Sequence, residues 1–99
     1  MLTGTRRAGE ESVRNRRELL SIRAILVGTR AAVRSHRVTG RPDLIRGTAE
    51  RGLALMDELS AELGPGAEQH VLDAAAEARA EIVGMVEAAT EDAQVTPRG

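Results

Sequence analysis

Aromatic residues and cysteine are both missing from this chain of 99 residues. Without cysteine there are no disulfides and no thiolate metal sites, and the redox compartment is left open. Without Phe, Tyr or Trp, the core lacks the side chains that bury the largest areas. The remaining apolar residues are Leu, Ile, Val, Met and Ala. We therefore expect a thin core that depends on close helix packing or, the alternative we favour, on a partner subunit.

Lysine and long apolar runs are missing as well. All 14 basic residues are arginine. No apolar stretch approaches the roughly 20 residues that span a bilayer, so we expect no membrane partner. The first residues carry charges with no apolar segment behind them, which argues against a secretory signal and predicts a cytoplasmic location.

The alternation of polar and apolar residues that marks strands is also lacking, so the predicted fold class is all-α. Gly40 and Pro42 separate a first helix from a second, and Gly64-Pro65-Gly66 separates the second from a third. We predict one domain at 11–92, between a mobile basic arm at 1–10 and a disordered tail at 93–99. The short connections favour a three-helix antiparallel bundle, or a helical hairpin with an extended first helix. The predicted helices lie at about 11–36, 42–63 and 67–92.

Each predicted helix has a seam of apolar or small residues spaced three and four apart. This spacing is typical of helices that pack at shallow angles. In the first helix the seam consists of Leu19, Ile22, Leu26, Thr29, Val33 and His36. In the second it consists of Ile45, Ala49, Gly52, Met56, Leu59 and Leu63. In the third it consists of Val71, Ala75, Ala78, Ile82, Met85 and Ala89.

The first helix is apolar on a second side too, where Leu20 and Val27 lie with Val13, Ala24 and Ala31. Two other helices cannot cover both sides, so we expect one side to meet another subunit or a larger protein assembly. The predicted interface with a partner helix comprises Leu19, Leu20, Ile22, Leu26, Val27 and Val33.

Charge is divided between the two halves of the chain. Residues 1–51 contain 12 Arg and 5 acids, whereas residues 52–99 contain 2 Arg and 10 acids. Such asymmetry is typical of a polyanion partner or of self-complementary association. Along the first helix, the residues that we call the arginine row are candidate polyanion contacts: Arg16, Arg23, Arg30, Arg34 and Arg37.

Three interpretations of the arginine row remain open at this point. The arginines meet acids of the chain itself or of another subunit, such as Asp73, Glu77 and Glu81 on the third helix. Alternatively, they track the phosphates of a nucleic acid, or they serve a protein or membrane surface. We favour the first, because the chain has no aromatic side chains to stack on bases.

Motifs for catalysis or metal binding are not found. His36 and His70 are the only histidines and lie in no metal-ligand pattern, and no phosphate-binding loop is present. We expect no catalytic residues, no cofactor, no metal and no enzyme activity. The predicted function is that of a small helical structural or adaptor protein that forms a homo-oligomer or docks on a larger assembly. The alternative is a DNA-associated regulator or packaging factor that uses the arginine-rich half.

Overall fold

A computed structural model describes residues 2–64 and 66–95, with side chains at 13–64 and 66–91. It contains three α-helices: α1 (Leu2–Val38), α2 (Ile45–Leu63) and α3 (Gln69–Val95). A single 3-10 turn, Pro42–Leu44, precedes α2. No strand occurs among the described residues, and the all-α prediction is confirmed for them. The oligomeric part of that prediction stays a prediction.

The helices at the two ends are longer than the sequence pattern predicts. α1 begins at Leu2 rather than near residue 11, so residues 2–10 continue the helix instead of forming a separate arm. No proline interrupts this stretch, and its two glycines weaken a helix by about 1 kcal/mol each without ending it. α3 continues to Val95, so the predicted end at 92 is also too early. Residues 96–99 of the predicted tail lie outside the described residues.

The connection between α1 and α2 follows the predicted break. Gly40 has a φ of 72°, a left-handed conformation that glycine adopts without a steric penalty. The Arg41 amide then donates to the His36 carbonyl at 2.7 Å, which closes the end of α1. Pro42 opens the 3-10 turn, where its missing amide proton costs no hydrogen bond. These steps reverse the chain, so that α2 runs antiparallel to α1.

The three predicted seams form the core. Every seam residue is buried or half-buried, and Thr48 is the one buried residue among the described side chains that belongs to no seam. Met56, Val71 and Ile82 are fully enclosed at the centre. Val33 packs near Ala89 in a smaller cluster beside the α1–α2 connection. The seams were therefore correct predictions of the packing faces.

Small side chains let α1 and α2 approach each other closely. Gly52 faces Thr29, and a Cβ added to this glycine would lie 2.8 Å from Thr29 Cγ2. The bundle is nevertheless elongated, with a radius of gyration of 17.5 Å and extents of 72 × 23 × 15 Å. A compact domain of this length has a radius of gyration near 13 Å. The protein therefore exposes more helix surface than a globular fold of its size.

Candidate docking surface on the first helix

An exposed apolar stripe runs along the side of α1 that points away from the core. Its three large members are spaced seven residues apart: Val13, Leu20 and Val27 are 58%, 61% and 47% exposed. Ala24 and Ala31 lie between them in the helix and are exposed as well. At 100° per residue, these five residues fall within an arc of about 60° opposite the buried Ile22. We call them the outer stripe.

The predicted partner-helix interface divides into two sets in the structure. Leu20 and Val27 belong to the outer stripe. Ile22 and Val33 are instead 4% and 6% exposed, because the chain's own helices cover them. Leu19 and Leu26 are half-buried against the same core. The seam of α1 has the spacing of the α2 and α3 seams and packs on them, so the surface left for a partner is the outer stripe.

The five side chains of the arginine row are all exposed. Arg30 binds Glu81 of α3 with both nitrogens of its fork: Nε donates to Oε2, and Nη2 donates to Oε1 at 2.6 Å. This ion pair confirms the intrachain interpretation for Arg30. The Arg30 guanidinium holds the pKa of Glu81 below its usual value. Arg23, Arg34 and Arg37 form no ion pair with any acid in the described part of the chain.

The outer side of α3 is acidic. Residues 69–91 contain five acids and one arginine. The arginine, Arg79, donates to Asp57 of α2 at 2.7 Å and so lies on the α2 side of the helix. Asp73, Glu77 and Glu87 are exposed, and none of them is ion-paired within the described residues. α3 therefore presents negative charge beside the positive charge of α1.

A groove of about 400 Å³ runs between the two helices, with a basic strip on α1 (Arg23, Arg30 and Arg34) and an acidic strip on α3 (Asp73, Glu77, Glu81 and Glu87), and the Arg30–Glu81 ion pair crosses it. Arg23 and Arg30 line it on the α1 side, and Glu77 and Glu81 line it on the α3 side. Leu19, Leu26, Ala74 and Ala78 also line this groove. We call the face formed by α1, the groove and α3 the α1/α3 surface. It carries a basic strip and an acidic strip side by side.

A second groove, of about 360 Å³, lies between α1 and α2. Ala24, Ile25 and Gly28 line it from α1, and Gly52 and Leu55 line it from α2. Leu55 is 51% exposed at its edge. Because Ala24 belongs both to this groove and to the outer stripe, the two apolar surfaces are continuous. Sequence reasoning missed this extension, since Leu55 lies off the α2 seam.

The histidines show no arrangement for catalysis or metal binding. His36 Nε2 is 2.9 Å from the Thr48 hydroxyl and links α1 to α2, whereas His70 is exposed. Over residues 13–64 and 66–91, no three His, Asp or Glu side chains are grouped to hold a metal ion. The features that the described surface does carry are exposed apolar side chains and ion pairs.

Comparison with protein-family models, with curated proteins and with solved structures finds no match for this chain. Within the described residues, the helices are too short or too polar to cross a membrane. The cytoplasmic location stays a prediction.

Proposed function

We propose that the protein is a small non-catalytic interaction module, structural or adaptor-like, that binds another protein helix through the outer stripe of α1. The observation that carries this proposal is the seven-residue repeat of Val13, Leu20 and Val27, each about half exposed or more. Full burial of one such side chain contributes about 1.5–3 kcal/mol. A regular apolar stripe on a helix whose opposite side already forms the core supports a second packing face.

The residues beside the outer stripe support a protein partner. Arg16, Arg23 and Arg34 flank one edge of the stripe, and Arg14 and Arg17 flank the other. Charges that border an apolar helix face select the partner and the register more than they add affinity. The expected partner is therefore a helix with a small or apolar face bordered by acids.

The test places a photo-crosslinking amino acid at Leu20 and expresses the protein in its native cells. The control carries the same group at Ala61, which is exposed on α2 away from the outer stripe. We expect a covalent adduct with a protein from position 20 and none from position 61. Equal adducts from both positions, or none from position 20, would contradict the proposal.

A second candidate function is association with DNA through the arginine row. It is favoured by Arg23, Arg34 and Arg37, which are exposed on one helix without an acid partner in the described part of the chain. The acids at Glu77 and Glu81 weigh against it, because they lie across the groove and repel phosphates. Binding to generic duplex DNA that is strong at low salt and falls steeply at moderate salt would favour this function.

A further inference from the structure

We propose that the occupant of the outer stripe is a second copy of this chain, with α1 of each copy lying across α3 of the other in a two-fold dimer. The inference rests on the proposed function and names its partner. It follows from the charges of the two helices, from their arrangement on one surface and from the shape of α3.

The charges disfavour one obvious pairing and favour another. Residues 13–38 of α1 contain seven arginines and one glutamate. If α1 packed on α1 of a second copy, these arginines would face one another. If α1 packs on α3 of a second copy, they face a helix with five acids and one arginine. Opposite charges across an interface fix its register, whereas like charges brought together there disfavour association.

The positions of the two helices make this pairing reciprocal. α1 and α3 run in the same direction, since Ile22 and Val71 share one core cluster while Val33 and Ala89 share the other. They lie side by side on the α1/α3 surface. A two-fold axis that lies in the plane of the contact, parallel to the helices, turns the second copy over, so that its acidic strip covers the basic strip of the first. The same rotation places the second basic strip on the first acidic strip, as an isologous contact requires.

The outer side of α3 has small residues, which leave room for larger side chains of the outer stripe. Ala80 and Gly84 are exposed and spaced four apart. A Cβ added at Gly84 would meet no atom within 4 Å, so nothing in the chain itself fills the space above it. Val27 of the other copy supplies a larger apolar side chain at this height, because the α1 residues near it line one groove with Ala78 and Glu81. Small residues on one helix let the side chains of another pack closely against its backbone.

The acids of α3 also favour a contact with α1 of a second copy. Asp73 and Glu77 lie four residues apart, and like charges at this spacing destabilise an isolated helix. Within the described residues neither has an ion-pair partner. Arg23 and Arg34 on α1 also have none. In the two-fold contact Arg23 lies level with Glu77 of the other copy, since the two line one groove within a copy, and Arg34 lies level with Glu87, near Val33 and Ala89. The charges left over in one copy are thus matched by the other.

The test measures mass by sedimentation velocity for the whole chain and for two charge-reversed variants. The first variant is Arg23→Glu with Arg34→Glu, and the second is Glu77→Arg with Glu87→Arg, which reverses the acids at the same two heights. The wild type is expected to be a dimer at about 100 μM. Each variant alone is expected to raise the dissociation constant by at least about tenfold, because like charges then face each other twice per dimer.

Mixing the two variants gives the decisive result. Their reversed strips complement each other, so an equimolar mixture is expected to form a heterodimer with a lower dissociation constant than either variant alone. Thermal unfolding of each variant, followed by circular dichroism, checks that the fold is intact. A mixture that stays monomeric, or a wild type that is monomeric at about 100 μM, would overturn the inference. If position 20 still cross-links to a different protein in cells, the proposed function survives while the second copy is ruled out as the partner.

Discussion

Replacing Gly52 by alanine tests the close approach of α1 and α2. The new Cβ would lie 2.8 Å from Thr29 Cγ2 and 3.1 Å from Thr29 Cβ, and nearer still to the hydroxyl. Thr29 has little freedom to move aside, because its hydroxyl donates to the Ile25 carbonyl at 2.8 Å. A β-branched side chain in a helix is also restricted at χ1. The two helices therefore have to separate slightly, or Thr29 has to give up its hydrogen bond.

The expected magnitude combines two terms of opposite sign. Alanine stabilises a helix interior by up to about 1 kcal/mol relative to glycine. Overpacking a well-packed site costs about 1–3 kcal/mol. Gly47→Ala, on the same helix, gains the first term without the second, because its Cβ would meet only the end of the Arg51 side chain, at 4.0 Å. The Gly52→Ala protein should thus be less stable than the Gly47→Ala protein by about 1–3 kcal/mol.

Urea unfolding followed by circular dichroism, at one fixed protein concentration, measures this difference. Thr29→Ala removes the hydroxyl and the methyl group that crowd the site, so Gly52→Ala should cost much less in that background than in the wild type. Such coupling is expected only between residues in contact. Equal stability of the Gly52→Ala and Gly47→Ala proteins would refute the close approach of the two helices.

Three further predictions concern stability. Met56→Ala should lower the free energy of unfolding by about 2–5 kcal/mol, while Leu55→Ala next to it should change it by no more than about 0.5 kcal/mol in urea titrations; similar losses would mean that α2 is rotated. Glu18→Leu should raise the free energy of unfolding by about 1 kcal/mol, since Glu18 Oε1 is buried with no hydrogen bond to a described residue and the 3.8 Å contact of Oε2 with the exposed Arg14 contributes little; a lower melting temperature would contradict this. The Glu81→Gln protein should be less stable than the wild type at neutral pH, and this difference in the free energy of unfolding should shrink as the pH falls below 4.5. The reason is that Arg30 lowers the pKa of Glu81 only in the folded state. A gap that stays constant down to pH 3 would refute a role for this ion pair.

The packing faces could be predicted from the sequence because they follow from spacing alone. Ala49, Gly52 and Met56 were placed in the α2 seam by their intervals of three and four, and all three are buried. The breaks at Gly40 and Gly64 could also be predicted, because glycine ends helices by adopting positive φ. Both residues do so in the structure. Local backbone chemistry and helical periodicity are thus sufficient to predict three packed helices.

The candidate site was predicted less completely, because it depends on how each helix is rotated against its neighbours. The α3 acids were recognised as a row with four-residue spacing, but within the part of the chain that the structure describes only Glu81 forms an ion pair with α1. Each step of four residues turns the row by about 40°, so Asp73, two steps earlier, points about 80° away. For the same reason, the sequence showed two apolar sides on α1 without showing which one the chain itself would cover.

The most direct test of the central claim, that α1 of one copy lies on α3 of another, uses the absence of cysteine from the chain. A Val27→Cys protein is mixed under mild oxidation with a Gly84→Cys or an Ala80→Cys protein, and with an Ala54→Cys protein as control on the exposed side of α2. Disulfide-linked species should join position 27 to position 80 or 84 and should not form with position 54. Predominant linkage of position 27 to itself, or equal linkage to position 54, would contradict the dimer.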